Sequence, residues 1–330
     1  MKFRTELELS VSDFQITHRH KILGVGSCFV DSIGEKLSNA KFEVMTNPFG
    51  TLFHPLAIEN ALARIIGLNY YTEEEIFKST SYYFSWDHHT SFNQTTLKAT
   101  LEKINNALEM ANRFVSEAGV FLITLGTSFA YKIKDHNLFV ANCHKAPASY
   151  FEKVLLSDLQ IKTSIRNIFN LIHDVNPKAE IIVTVSPVRH IKDGIVENNV
   201  SKAKLISNLH EILSQSQNAE YFPAYELMMD DLRDYRFYKE DLIHPSEVAI
   251  GYIWEKFGDK YFHDSTKKQI RMAEKINAAM AHRPLNPESM TYKEFLFKTL
   301  KNIEGIENQF PKNSFYSEKL TLKNRMRNAD

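Results

Sequence analysis

Cysteine is scarce in this sequence, because only two of its 330 residues, Cys28 and Cys143, are cysteines. Two widely separated thiols cannot build the disulfide framework of a small secreted domain, and they are too few for a four-cysteine zinc site. Such usage is typical of proteins that work in a reducing compartment. The sequence therefore predicts a cytoplasmic protein.

Long apolar runs are also missing. Residues 1–21 have charges scattered among them and lack the apolar core of a signal peptide. No later stretch reaches the roughly 20 apolar residues that a membrane-spanning helix needs. We therefore expect a soluble chain with no membrane span.

Net charge and phosphate-binding loops are absent as well. The 40 basic residues balance 40 acidic ones, so the chain has no field that would gather a polyanion, and nucleic acid is not an expected partner. Gly24-Val25-Gly26 lacks the third glycine of a dinucleotide fingerprint, and no glycine-rich loop with its lysine occurs. The sequence predicts no cofactor.

What the chain does contain is an alternation of apolar strands with helices. The predicted strands cover 21–26, 42–45, 120–125, 181–185 and 221–225, and the predicted helices cover 54–68, 97–118, 151–175 and 201–214, with another helix after Ser27 and a hairpin over 131–142. Strands 120–125 and 181–185 are apolar on both faces, which favours the middle of a parallel sheet covered by helices. The expected fold class is α/β, with a doubly wound parallel sheet whose ligands bind beyond the carboxyl ends of the strands.

The pattern changes beyond residue 262. Helical segments over 267–282 and 290–306 follow without buried strands, and from Phe310 onward the sequence is polar and basic. We therefore expect an α/β domain over residues 1–262 and a C-terminal helical extension over 263–330 that ends in a loose, solvated tail.

Ser27 stands between the first predicted strand and the helix that follows it. That position exposes a hydroxyl above the sheet, and it places the Ser27 backbone N–H where a helix N-terminus favours a nucleophile and an oxyanion. Serine is also a favoured N-cap residue. On this feature alone, a helix cap is the more ordinary interpretation.

A second motif, Asp241-Leu242-Ile243-His244-Pro245-Ser246, leads into a helix near the end of the α/β pattern. The spacing lets the Asp241 carboxylate accept the imidazole Nδ1–H, so that Nε2 of His244 faces a hydroxyl and can take its proton. The alternative is a helix-capping aspartate beside an ordinary surface histidine. Because Ser27 follows the first strand and His244 follows the last, we expect both at the same edge of the sheet.

These residues resemble a known family. Gly26-Ser27-Cys28-Phe29-Val30 resembles the five-residue signature from which the GSCFA family takes its name, with Val30 in place of the usual alanine. Further similar motifs, spread from about Lys21 to Phe257, are Asn47-Pro48-Phe49-Gly50, Ser85-Trp86-Asp87-His88-His89, Leu125-Gly126-Thr127-Ser128, Asn142-Cys143-His144-Lys145, Ser186-Pro187-Val188-Arg189-His190, Tyr221-Phe222-Pro223-Ala224-Tyr225-Glu226 and the Asp241–Ser246 motif. The last seventy or so residues lie outside this resemblance.

The family looks like a branch of the SGNH (GDSL-type) hydrolases. This resemblance implies a flavodoxin-like three-layer sandwich and a triad with Ser27 as nucleophile, His244 as base and Asp241 as its orienting partner. It also implies an oxyanion hole, with the backbone N–H groups of Ser27 and Gly50 as donors. The superfamily's usual asparagine is replaced within Gly126-Thr127-Ser128, so the remaining donor is either Asn142 or Thr127.

Neighbouring residues offer other chemistry. Cys28 adjoins Ser27, and a thiol can act with His244 as its base, although a cysteine without such assistance is more often buried filler. His88 and His89 suit divalent metals by residue type, but adjacent histidines rarely share one ion. The sequence predicts no metal site.

Aromatic and basic side chains are expected around the substrate. Trp86, with His88 or His89, is expected to line the pocket, where an aromatic face stacks on a sugar or acyl group. Arg189 and His190 follow strand 181–185 at the same edge of the sheet. They are expected to hold an anionic or hydroxylated substrate, and a plain surface pair is equally compatible with the sequence.

The sequence thus predicts a serine esterase or acyltransferase that acts on an acyl ester through an acyl-enzyme intermediate. Its expected partner is a small-molecule or saccharide ester, for instance an acetylated saccharide. The alternative is a non-catalytic carbohydrate-binding or lipid-binding module that retains the SGNH-like fold.

Overall fold

A parallel sheet forms the centre of the structure, a computed structural model that describes residues 5–136 and 138–327. The strands are β1 Lys21–Gly26, β2 Glu43–Thr46, β3 Phe77–Lys78, β4 Tyr83–Phe84, β5 Ala118–Leu125, β6 Phe129–Ile133, β7 Leu138–Val140, β8 Phe151–Leu155, β9 Glu180–Val185 and β10 Ala219–Tyr221. The helices are α1 Cys28–Asn39, α2 Pro55–Gly67, α3 Leu97–Val115, α4 Asp158–Val175, α5 Ile195–Leu213, α6 Ala224–Glu226, α7 Glu247–Tyr261, α8 Asp264–Ala281, α9 Met290–Ile306 and α10 Tyr316–Arg327.

The order of strands in the central sheet is β2-β1-β5-β9-β10, and every neighbouring pair is parallel. Counted along the chain, this is the 2-1-3-4-5 order of flavodoxin-like folds. Ligands of such folds bind where the strand order reverses, which here is between the carboxyl ends of β1 and β5. The predicted α/β fold class is confirmed.

Both faces of the sheet are buried, as the apolar strands predict. Alternate residues of β1 point to opposite sides, so that Leu23 and Val25 join the apolar cluster under α2 to α5, whereas Ile22 joins the cluster under α1 and α7. All three side chains have no exposed surface. The two clusters make the layers of a three-layer sandwich.

One predicted helix is partly wrong. The segment predicted as a helix over 151–175 begins with the strand β8, which pairs with β6 in a small antiparallel sheet of order β7-β6-β8. Helix α4 begins only after Ser157, whose side chain forms a capping box with Gln160. The predicted hairpin over 131–142 is present as β6 and β7, and its turn residue Asn137 lies outside the described residues.

The prediction of a loose C-terminal tail is also wrong. Phe310, Phe315 and Leu322 are buried in a third apolar cluster that α8, α9 and α10 share. An ion pair of 2.5 Å joins Glu318 to Lys41, which follows α1. These few apolar positions in a polar sequence are enough to pack the tail against its neighbours as a helix. We interpret residues 263–330 as a C-terminal extension of the α/β domain.

Among the described residues, no helix combines the length and the apolar character needed to cross a membrane.

Candidate active site

The turn between β1 and α1 carries Ser27. Gly26 ends the strand with a φ of +141°, and the Ser27 N–H donates to the Thr124 carbonyl of β5 at 3.0 Å. Ser27 is the N-cap of α1, and its Oγ accepts a long bond of 3.4 Å from the Phe29 N–H. The side chain has no exposed surface. The cap expected from the sequence is therefore present at the strand-to-helix turn.

Asn47 holds this turn in place from the end of β2. Its side-chain Oδ1 accepts the Gly26 N–H at 2.9 Å, and its Nδ2 donates to Asp31 Oδ2 at 2.9 Å. Its backbone N–H donates to the Gly24 carbonyl at 2.8 Å. The sequence indicates Asn47 only as a turn residue, because no short-range pattern shows that its amide will bond to the neighbouring strand β1.

Most of the expected oxyanion donors already form hydrogen bonds within the protein. The Gly50 N–H donates to the Asn47 carbonyl at 2.7 Å, as the Ser27 N–H does to Thr124. The Thr127 hydroxyl lies 2.9 Å from Ser201 Oγ and accepts the Phe129 N–H. Oδ1 of Asn142 accepts the His144 N–H at 2.8 Å, which leaves the Asn142 NH₂ group unused by any described residue. The N–H groups of Ser27 and Gly50 must each exchange a bond before they can serve an oxyanion.

Asp241 and His244 form a bonded pair. Nδ1 of His244 lies 2.7 Å from Asp241 Oδ2, while Asp241 Oδ1 accepts the backbone N–H groups of His244 and Ile243 at 2.9 Å each. Hydrogen bonds from the His244 backbone and side chain and from the Ile243 backbone lower the pKa of Asp241 to about 2. A left-handed Leu242, with a φ of 57°, closes the tight turn. The imidazole is 43% exposed, so Nε2 is accessible.

A continuous set of contacts joins this loop to the turn that carries Ser27. The Arg189 N–H donates to the Ile243 carbonyl at 3.3 Å. The next residue, His190, packs its ring against Phe53 with 5.3 Å between centroids. The Phe53 carbonyl accepts the Gly126 N–H at 2.8 Å, and a Cβ built on Gly126 would lie 3.3 Å from Ser27 Cβ.

The two predicted reacting atoms are nevertheless not in direct contact. Among the described residues, Ser27 Oγ and His244 Nε2 share no hydrogen bond, and the bond from the Phe29 N–H is the one that Ser27 Oγ makes. Hydrogen bonds between catalytic groups are often long before substrate binds. The strand ends and the loop are thus linked through Arg189, His190 and Phe53, without a direct bond between the two predicted reacting groups.

Lys202 was missed by the sequence analysis. This residue of α5 is 1% exposed, and its Nζ donates to the carbonyls of Gly126 at 2.6 Å and Ser186 at 2.7 Å. The ammonium group therefore ties the end of β5 to the end of β9 directly beside the turn of Ser27. Burial lowers the pKa of Lys202 to about 7. The sequence signal that could have indicated a buried role for Lys202 is a lone lysine at an apolar position of the helix.

The aromatic segment around Trp86 lies beside α2. Trp86 is half-buried, and together with Arg64 and Asp87 it lines a cleft of about 420 Å³. His89 is half-buried as well and caps a short turn by accepting the Ser91 N–H. His88 lies in the interior, with its ring 4.4 Å from the ring of Phe49, and has no exposed surface.

Other chemistry at these positions is disfavoured. Burial raises the pKa of the Cys28 thiol, which opposes the thiolate that a cysteine nucleophile needs. Within residues 5–136 and 138–327, no three or more His, Cys, Asp or Glu side chains gather where they could hold a metal ion.

His88 is expected to make stability depend on pH. Neither ring nitrogen has a hydrogen-bond partner among the described residues, and burial lowers the pKa of His88 to about 3. The unfolded chain therefore binds more protons than the folded chain between about pH 3 and 6.5, so stability falls as the pH falls through that range. Between pH 7 and pH 5, this one group should lower the free energy of unfolding by about 2 kcal/mol.

The His88→Phe variant tests this expectation, since phenylalanine keeps the ring and removes both unpaired nitrogens. Urea unfolding at pH 7 and pH 5 should give a variant that loses about 2 kcal/mol less than wild type. His282→Phe, at an exposed position, controls for the replacement itself. Equal losses in wild type and His88→Phe would contradict the burial of a neutral imidazole.

Comparison with known proteins identifies relatives of the chain. A model of the GSCFA family matches residues 21–257, so the expected resemblance is confirmed. A second family model, the C-terminal domain of GSCFA domain proteins, matches residues 273–328, which the sequence analysis had placed outside the resemblance. No curated protein sequence matches the chain.

Several solved structures resemble the chain distantly. A carbohydrate esterase of family 3 from Talaromyces cellulolyticus is 10% identical, with 78% of this chain and 99% of that chain covered and a TM-score of 0.37. A family 3 carbohydrate esterase from Clostridium thermocellum is 14% identical over 76% and 97%, with a TM-score of 0.32. The acetyl xylan esterase Est2A from Butyrivibrio proteoclasticus is 12% identical over 76% and 64%, also with a TM-score of 0.32.

Proposed function

This chain belongs to the GSCFA family, and we propose that it is a serine esterase or acyltransferase of the SGNH type. The observation that carries the proposal is the Asp241–His244 pair, whose loop contacts Arg189 after β9, at the same sheet edge where Ser27 follows the first strand. A carboxylate that fixes the Nδ1–H tautomer leaves Nε2 free to accept a proton. A serine at the strand-to-helix turn is a suitable donor of that proton.

The reaction has two steps. Ser27 Oγ attacks the acyl carbonyl carbon while His244 Nε2 takes the hydroxyl proton, and the ester C–O bond then breaks as the imidazolium returns that proton to the leaving alcohol. In the second step, water or a sugar hydroxyl loses its proton to His244 and attacks the acyl carbon, and the bond to Ser27 Oγ then breaks as the imidazolium returns that proton to Ser27. Asp241 remains ionised throughout, since its pKa of about 2 lies far below neutral pH.

The oxyanion requires donors that the resting site uses elsewhere. Among the described residues, the Asn142 NH₂ group is the candidate with free hydrogen-bonding capacity. The Gly50 N–H becomes a donor if it releases the Asn47 carbonyl, and the Ser27 N–H becomes a donor if it releases the Thr124 carbonyl. The Thr127 hydroxyl becomes a donor if Ser201 Oγ is the donor of the bond between them, or if that bond breaks. A donor of this kind contributes on the order of a hundredfold in rate.

Substrate contacts are assigned to side chains beside this edge. Arg189 and His190 follow β9 and border the catalytic loop. Trp86 borders the cleft beside α2, and His89 borders the Gly50 turn. The buried His88 packs against Phe49 of the same turn. We propose a small acyl ester, for instance an acetylated saccharide, as the substrate. We place the reaction in the cytoplasm, because unpaired thiols suit a reducing compartment.

A second function is favoured by the resting state of the site. Ser27 has no exposed surface, and the N–H groups of Ser27 and Gly50, two of the predicted oxyanion donors, are bonded elsewhere, as in a module that binds carbohydrate or lipid without catalysis. The two functions differ in whether Ser27 reacts.

A fluorophosphonate probe separates them, because such probes phosphonylate a serine that a neighbouring base activates. We expect labelling of the wild-type protein that disappears in Ser27→Ala. Cys28→Ala is the matched control at the adjacent position and should remain labelled. An unlabelled wild-type protein, or labelling that Ser27→Ala leaves unchanged, would favour the binding module.

A further inference from the structure

A pocket beside the catalytic loop has a chemistry that the proposed reaction does not use. It encloses about 210 Å³ between the segment after β9 and residues 228–238. Both walls are tied to the loop of His244: the Arg189 N–H donates to the Ile243 carbonyl, and Tyr238 forms an antiparallel bridge with Pro245. The pocket is therefore joined by backbone contacts to the residues on either side of the proposed general base.

The pocket contains a cation without an anionic partner. The guanidinium of Arg189 lies 5.7 Å from the ring centroid of Tyr235 and 5.6 Å from that of Tyr238. Within the part of the chain that the structure describes, neither a carboxylate nor a carbonyl oxygen pairs with this guanidinium. Two tyrosine faces hold it in one orientation, which leaves its planar set of N–H donors ready for an incoming acceptor.

The other charged residues of the pocket do not neutralise the positive charge of Arg189. Arg233 lies 3.9 Å from Asp230 in an exposed pair, so it neither cancels nor competes with Arg189. Asp234 is the acidic residue of the lining, and its Oδ1 is held by the Arg236 N–H. The lining therefore carries two arginines against one aspartate.

The remaining walls are apolar. Met228 and Leu232 line the pocket but are only 1% and 2% exposed, so the half-buried Met229 and the rings of Tyr235 and Tyr238 provide most of the surface for aliphatic or aromatic carbon atoms. An apolar surface beside one fixed guanidinium suits an organic carboxylate, since the N–H groups of the Arg fork donate to both carboxylate oxygens. A fully hydroxylated neutral ligand would leave the charge of Arg189 unpaired.

We propose that the Arg189 pocket binds a carboxylate carried by the ester substrate, so that the enzyme prefers anionic esters to neutral ones. This inference rests on the proposed function, because it names the class of substrate for the same site. It assigns Arg189 to recognition of the substrate and leaves proton transfer to His244.

Matched esters test the preference. On the alcohol side, 4-acetoxybenzoate is compared with its methyl ester, and on the acyl side the 4-nitrophenyl monoester of glutaric acid is compared with 4-nitrophenyl valerate. In wild type, kcat/KM should favour the carboxylated member of at least one pair by about tenfold or more, as a charge-assisted hydrogen bond predicts. The preference should shrink as salt is raised.

Variants of Arg189 test whether the preference for carboxylated esters depends on its side chain. Arg189→Met should reduce the ratio of the two kcat/KM values to about one, chiefly through KM, and Arg189→Lys should retain part of it because lysine keeps the charge and loses the fork. Arg236→Met removes an exposed arginine of the same segment and should leave the ratio unchanged. A wild-type ratio near one in both pairs, or a ratio that Arg189→Met leaves intact, overturns the inference.

Failure of the inference and failure of the proposed function are distinguishable. Cleavage of the neutral esters without any preference retains the esterase and removes the anionic substrate. If no ester is cleaved, binding to Ser27→Ala decides: calorimetry should detect 4-acetoxybenzoate more tightly than its methyl ester, and Arg189→Met in the same background should remove the difference. Equal affinities would overturn the inference independently of catalysis.

Discussion

Replacing His244 with alanine is expected to lower kcat/KM for 4-nitrophenyl acetate by a factor of about 10⁴ or more. That loss corresponds to roughly 5 kcal/mol of transition-state stabilisation. The reason is that no other described base is held by a carboxylate at this edge as His244 is held by Asp241, at 2.7 Å. The fold should persist, because the imidazole is 43% exposed and its removal opens no buried cavity.

Two further variants sharpen this experiment. Asp241→Asn removes the charge that fixes the tautomer, so it should also lower kcat by orders of magnitude while leaving the imidazole in place. His263→Ala changes a histidine that caps α8, far from the loop in sequence, and should retain activity. Activity of His244→Ala within tenfold of wild type would contradict the assignment of the base.

Replacing Gly26 with alanine is expected to destabilise the protein by more than about 4 kcal/mol. Gly26 has a φ of +141°, which side-chain-bearing residues rarely adopt, and a Cβ there would lie 2.2 Å from the Thr124 carbonyl oxygen. That oxygen accepts the Ser27 N–H, so relief of the clash must separate β1 from β5 at the end that carries the nucleophile. Both the free energy of unfolding and the activity should fall.

Gly251 provides the matched control for this substitution. It lies within α7, and a Cβ added there meets no atom within 4 Å. Alanine at this helical position should raise the unfolding free energy by about 0.5–1 kcal/mol. Urea denaturation of the two variants is the measurement, and a Gly26→Ala protein as stable as Gly251→Ala would contradict the described turn.

The parts of the fold that the sequence predicted are those that local pattern determines. The strand 21–26, its glycine turn and the helix after Ser27 follow one another within about twenty residues, and each obeys its own local rule. The pairing of Asp241 with His244 also depends on a spacing of three residues. Alternation of buried strands with helices was enough to predict the parallel sheet.

The parts that the sequence could not predict depend on contacts between distant segments. Asn47 supports the turn of Ser27 through a bond to Gly26, and Lys202 reaches the carbonyls after β5 and β9. The strand β8 is formed because β6 offers it a partner, which overrides the helical pattern of the segment. Phe315 belongs to a core that the linear sequence divides among three helices.

Whether Ser27 and His244 act together is tested most directly by a crystal structure of the protein after reaction with a fluorophosphonate. We expect phosphonate bonded to Ser27 Oγ, with His244 Nε2 within about 3.2 Å of that oxygen or of the phosphonate. Phosphonate on another residue, or an imidazole that remains turned away from the modified serine, would contradict it.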